Sequence, residues 1–162
     1  AVLGVLAAGV LVAINPAEQL ARARDATRKT TVGQLNKAVQ AFYTSSQYYP
    51  DGAASTGWIT ILKDGAEIKS VPADQTDTYL VTGAGTCTDT PGSLRDAESG
   101  FCYITNTGKS EAVIFIPLES GSEKAKCASS AKPYFLWSST DGKAGVVCSS
   151  GEPGALTYTT YN

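Results

Sequence analysis

Fourteen uncharged residues, "AVLGVLAAGVLVAI", open the chain and pass without a loop into a charged, strongly helix-forming stretch. From Ala17 to about Ser46 there is no proline and Gly33 is the one glycine, while Leu20, Ala23, Thr27, Thr31, Leu35, Ala38 and Phe42 recur at intervals of three and four residues, with Val32 and Val39 beside them. The spacing predicts one long helix with a single apolar face and a solvated opposite face. Glu18 stands four residues before Arg22, and Asp25 four before Lys29, both in the order that favours ion pairing along a helix. At 1.5 Å per residue the rod is about 45 Å long, more than a domain of this size needs for its own core. Part of its apolar edge should therefore project beyond the head and be covered by something else.

The remainder alternates differently. "YYPDG" at 48–52 is an exit turn, "GWITILKDG" is a short helix or strand, and "SVPADQTD" is a connector rich in turn-forming residues. "TYLVT" at 78–82 reads as a strand, and "FCYIT" at 101–105 with "AVIFIPL" at 112–118 reads as a hairpin closed by "NTGKSE". A second hairpin pairs "YFLWS" at 134–138 with "AGVVC" at 144–148 across Asp141 and Gly142. A long helix followed by runs of strands predicts an α+β fold, the helix packed on a small antiparallel sheet. The chain divides into an apolar segment plus amphipathic helix at 1–48 and a β-rich head at 49–162.

At the seam stand Asn15 and Pro16. Proline is harmless in a first helical turn, where its missing N–H has no partner to lose, and Asn15 is then the N-cap. Pro16 also stops a helix from running through out of the apolar segment, since it removes one hydrogen bond and clashes with the carbonyl of Val12, at about 3 kcal/mol. With Gly4 and Gly9 loosening the run, residues 4–15 can be helical in one setting and extended in another. Fourteen apolar residues fall short of the ~20 that span a bilayer, and no basic start or small-residue cleavage site marks a signal peptide. Methionine is absent throughout. The expectation is a start truncated within a longer apolar segment.

Charge is uneven. Residues 1–50 carry five Lys and Arg against two Asp and Glu, whereas residues 51–162 carry eight against thirteen. An acidic body without clustered cations argues against nucleic acid as a main partner. The four cysteines, Cys87, Cys102, Cys127 and Cys148, are widely spaced in a chain with no histidine, which fits two disulfides and an oxidising compartment better than zinc. Three pairings exist. Cys87–Cys102 with Cys127–Cys148 closes the shorter loops around turn-forming residues, each worth about 3 kcal/mol on the loop-entropy model.

Candidate chemistry is sparse. "GAG" at 83–85 lacks the third glycine and following helix of a dinucleotide site and reads as a turn. Asp74 with Asp77, or Asp89 with Asp96, are the candidates for calcium. No loop alternates acidic residues as a helix-loop-helix calcium site does, so solvated carboxylates account for them and no cofactor is expected. Without histidine, a Gly-x-Ser-x-Gly motif or a fixed acid pair, an enzyme is not expected. Trp58, Trp137 and the tail "LTYTTYN" offer an aromatic surface to sugars, although core packing and an edge strand explain them more simply.

The stretch from Ala1 to "YYPDG" resembles the N-terminal part of type IV pilins and type II secretion pseudopilins. "LGVLAA" at 3–8, the proline, the long amphipathic helix and the Tyr-Pro exit carry the resemblance, over about a third of the chain. The methylated aromatic residue and the glutamate of that family would lie before Ala1, and the proline falls a few residues later than in its best-known members. The resemblance implies a major pilin of an extracellular type IV pilus-like filament, acting in adhesion, motility or DNA uptake and held in the cytoplasmic (inner) membrane before the assembly machinery adds it to the fibre. In that setting Ala1, Val2, Leu3, Val5, Leu6, Val10, Leu11, Val12 and Ile14 form the filament core, and Gly4, Gly9, Asn15 and Pro16 form its helix break. Leu20, Leu35, Val39 and Phe42 pack the helix on the head or on neighbouring copies. Arg22, Arg24, Arg28 and Lys29 run the other way, since the positive-inside rule places such a flank in the cytoplasm. A type II secretion pseudopilin and a membrane-tethered adhesive or glycan-binding head that never polymerises are the alternatives.

Overall fold

The structure, a computed structural model, describes residues 15–51, 56–73, 75, 93–158 and 161, with residues 93–97 described by their backbone. Helix α1 spans Pro16–Ser46, 31 residues or about 46 Å. Asn15 caps it, its side chain accepting from the Glu18 N–H at 3.3 Å, and Pro16 occupies the first turn. At the far end Gln47 adopts a left-handed conformation at φ 64° and its N–H closes on the Tyr43 carbonyl. The exit is then pinned to the head: the Tyr49 N–H donates to the Lys109 carbonyl, and the buried Tyr103 hydroxyl donates to the Pro50 carbonyl at 3.0 Å.

Helix α2, Trp58–Asp64, settles the ambiguity of "GWITILKDG" in favour of a helix. Glu98 caps it from outside, accepting from the Ile59 and Thr60 N–H groups. Glycine suits position 57 because its φ of +84° is one that L side chains rarely adopt.

Five strands follow as an antiparallel meander in chain order: β1 (Ser93–Glu98), β2 (Phe101–Asn106), β3 (Ala112–Pro117), β4 (Lys132–Ser138) and β5 (Lys143–Ser149). A single helical turn, α3 (Gly121–Lys124), lies between β3 and β4. Both predicted hairpins form, with Cys102 opposite Phe115 and Phe135 opposite Val146. Strand β1, "SLRDAE", has no hydrophobic alternation and is an edge strand recruited by pairing with β2. The predicted strand at 78–82 and the "GAG" turn lie outside the described residues.

Period-two alternation sorts the strands onto two buried faces. Tyr103, Ile114, Ile116 and Trp137 meet Val32, Leu35, Ala38 and Val39 of α1 and Trp58, Ile59 and Leu62 of α2. On the opposite face Ile104, Val113, Phe115, Tyr134, Leu136 and Val147 meet Leu156, Tyr158 and Tyr161 from the C-terminal tail. A sheet covered on both sides explains why β3 is buried at every position. Trp58 and Trp137, the candidates for a sugar platform, are 0% and 4% exposed, and Trp58 stacks on Tyr103 at 4.6 Å. Neither ring offers a face to a ligand.

Candidate functional site

The buried residues of α1 are Ala21, Asp25, Arg28, Val32, Leu35, Ala38 and Val39, spaced so that they form one face along the whole rod. This differs from the stripe predicted by hydropathy. In the distal half the two agree: Val32, Leu35, Ala38 and Val39 are buried and Phe42 is partly buried against the core. In the proximal half they part. Leu20 is 60% exposed, and Ala23 and Thr27 are exposed beside it, so Leu20 does not pack on the head. The face turned inward there is charged instead, a choice that hydropathy cannot make, because charged groups are buried only when specific partners compensate them.

Those partners come from the loop after β3 and from α3. Asp25, 2% exposed, accepts from the backbone N–H groups of Glu119 (3.0 Å) and Ser120 (2.9 Å). Arg28 is fully buried and donates from Nη1 to Asp25 Oδ1 at 3.2 Å and to Glu119 Oε1 at 3.1 Å. Arg24 reaches the same Glu119 oxygen through Nε. Glu18 accepts from the Gly121 N–H at 2.9 Å and pairs with Arg22 at 2.8 Å. Lys29 pairs with Glu123 at 2.5 Å while lying 5.9 Å from the centre of the Phe135 ring, and Lys126 holds the other Glu123 oxygen. The predicted Glu18–Arg22 pair is present, whereas Asp25 turns to Arg28 rather than Lys29.

These contacts form a clasp between the helix and the head, and they lower the proton affinity of Glu18 and Glu123. The Gly121 N–H, then Arg22 and the Ser122 N–H, hold Glu18 below the ordinary carboxylate value. Burial pushes Glu123 upward, but Lys29 and Lys126 outweigh it and leave this carboxyl lowered as well. The cations that followed the apolar run as an unexplained basic flank thus meet the acidic body of the same chain. Glu119 and Glu123, which complete the clasp, carried no signal of their own; only the excess of acid after residue 50 hinted at them.

Cys127 and Cys148 form a disulfide with 5.5 Å between their Cα atoms, tying the end of the clasp loop to β5. Cys102 is disulfide-bonded too, and Cys87 lies outside the described residues. So do Ala1–Ile14, with Gly4 and Gly9, and the candidate calcium ligands Asp74, Asp77 and Asp89, together with the side chain of Asp96. Among the described residues no group of three or more metal-ligating side chains exists, and no helix is long and apolar enough to cross a membrane. A groove of about 510 Å³ separates Leu35, Ala38 and Ala41 of α1 from Ile68 and Pro72, with Lys37, Glu67 and Lys69 at its rim. No family model, curated protein or solved structure matches the chain.

Proposed function

We propose that the chain is a structural subunit, a major pilin, of an extracellular type IV pilus-like filament, polymerising through its apolar N-terminal segment and helix. The observation that carries this reading is the division of labour along α1. Its distal half is built into the core of the head, while its proximal half follows an uncharged run of fourteen residues and presents Leu20 at 60% exposure. Leu20 and Ala23 are left in water on the outer side of the helix, and burial among copies releases roughly 25 cal/mol for each Å² of apolar surface removed from water. A head-to-tail contact repeated without closure grows a fibre rather than a ring.

In this reading the apolar run anchors the subunit in the membrane until the assembly machinery takes it up, and Cys87 pairs with Cys102 as the second disulfide. Electron microscopy of purified appendages and of the recombinant chain tests it. Full-length protein should grow into long threads, and a version lacking residues 1–14 should stay folded and monodisperse. Threads formed by the shortened version, or a full-length protein that stays monomeric under every assembly condition, would overturn the proposal.

A further inference from the structure

Glu18 stands about 3 Å along the rod from Pro16, and it accepts from the N–H groups of Gly121 and Ser122. Helix α3 therefore lies at the base of α1, beside the seam where the uncharged run of fourteen residues ends. The charges gathered there are sorted by direction. The carboxylates are turned inward: the side chains of Asp25, Glu119, Glu123 and Glu18 are 2%, 8%, 11% and 22% exposed. The cations are turned outward: Arg22, Arg24 and Lys126 are 52%, 47% and 43% exposed, and Lys124 is exposed beside them. Water thus meets a cationic surface at this end of a head whose sequence from residue 51 onward carries eight cations against thirteen acids.

We propose that this cationic base, formed by Arg22, Arg24, Lys124 and Lys126, is a docking surface for the anionic phospholipid headgroups of the membrane that holds the subunit before assembly. The inference rests on the membrane-anchored state in the reading above and not on growth into a fibre. Two features select the occupant. The first is continuity: the patch adjoins the end of the apolar run, so a membrane that takes up the run brings its headgroup layer to the base of α1. The second is charge. Arg22 and Arg24 follow Pro16 by about 9 and 12 Å along the axis, close to the Debye length of about 10 Å at 0.1 M salt, within which an anionic surface attracts Lys and Arg. A nucleic acid would match the charge but not the apolar run beside it. Docking sets the head down on the membrane by its α3 side, in the orientation from which the subunit is taken up.

The test uses the full chain with its disulfides intact, reconstituted sparsely into phosphatidylcholine vesicles and into vesicles with part of that lipid replaced by phosphatidylglycerol. A donor dye on a ketone-bearing residue at exposed Ala125 reports its distance to an acceptor dye carried on lipid headgroups. Energy transfer should be stronger in the anionic vesicles at about 0.1 M salt. The excess should vanish at about 1 M, where the Debye length shrinks from about 10 Å to about 3 Å. It should also be lost in R22Q/K124Q/K126Q, which spares Arg24 because that residue holds Glu119. Equal transfer in the two kinds of vesicle overturns the proposal; if the same protein still grows threads, the patch belongs to the contact between copies and the filament reading stands. An excess that persists at 1 M salt, or in a triple variant whose near-ultraviolet circular dichroism reports a packed head, overturns it as well. Should the variant fail to fold, the salt dependence of the unmodified chain decides the matter alone. A chain that floats with neither kind of vesicle removes the membrane anchor itself, and this proposal falls with it.

Discussion

The two halves of α1 lie against one head and obey different rules. From Val32 to Val39 the contact is apolar and tolerant in direction, made by side chains that need only volume and dryness, and it joins the same cluster as Trp58 and Ile114. From Glu18 to Lys29 the contact consists of ion pairs and carboxylate-to-amide hydrogen bonds, which need partners at the right distance and lose much of their value when one is missing. The difference teaches that one helix can be held to one head by apolar burial along half its length and by specific charge compensation along the other half.

Replacing Leu35 by Ala should have the largest effect on folding, because a fully buried side chain leaves a cavity in the shared core. A loss of about 2–5 kcal/mol in guanidinium unfolding is expected, with the slope unchanged. Asp25→Asn strikes the other half. It takes the charge from a partner of buried Arg28 and weakens the reception of two backbone N–H groups, for a loss of about 1–3 kcal/mol. If Asp25→Asn cost as much as Leu35→Ala in the same titration, the two halves would be one cooperative unit and the contrast would fail.

Acidity sharpens the comparison further. Glu18 and Glu123 are both held below their ordinary values, so the folded state favours their charged forms. Their contribution is present above the unfolded-state value of about 4.3 and is lost as the pH falls through the lower folded-state value. Stability should therefore decline below about pH 4, and E18Q/E123Q should flatten that limb while leaving the neutral plateau of a Leu35→Ala variant displaced as before. Leu20→Ser should move the unfolding midpoint least, by within about 0.5 kcal/mol, since the side chain is mostly in water. Its effect should appear in assembly, as slower or absent thread growth by light scattering and electron microscopy; a Leu20→Ser protein that assembles like the parent would remove this residue from the contact between copies.

Much of the architecture was legible beforehand because it follows from local periodicity. The helix from Pro16 to Ser46, its Asn15 cap and both hairpins depend on spacing, capping and turn chemistry that neighbouring residues express on their own. Three features escaped for one reason. Strand β1 is polar and forms because β2 offers it an edge. The inward face of the proximal helix is charged, and Glu119 and Glu123 stand some ninety residues from the cations they neutralise.

What the amino-acid sequence determined by itself is the one-dimensional plan: an uncharged run, a proline seam, a long amphipathic rod and a cysteine-bearing succession of strands. Tertiary structure alone decided which face of the rod turns inward, that Leu20 remains outside, and that Asp25 and Arg28 are buried. The physical reason is that hydrophobic burial is additive and nearly directionless, so its pattern survives in the sequence. Compensation of a buried charge depends on where distant atoms come to rest, and no periodicity along the chain records that.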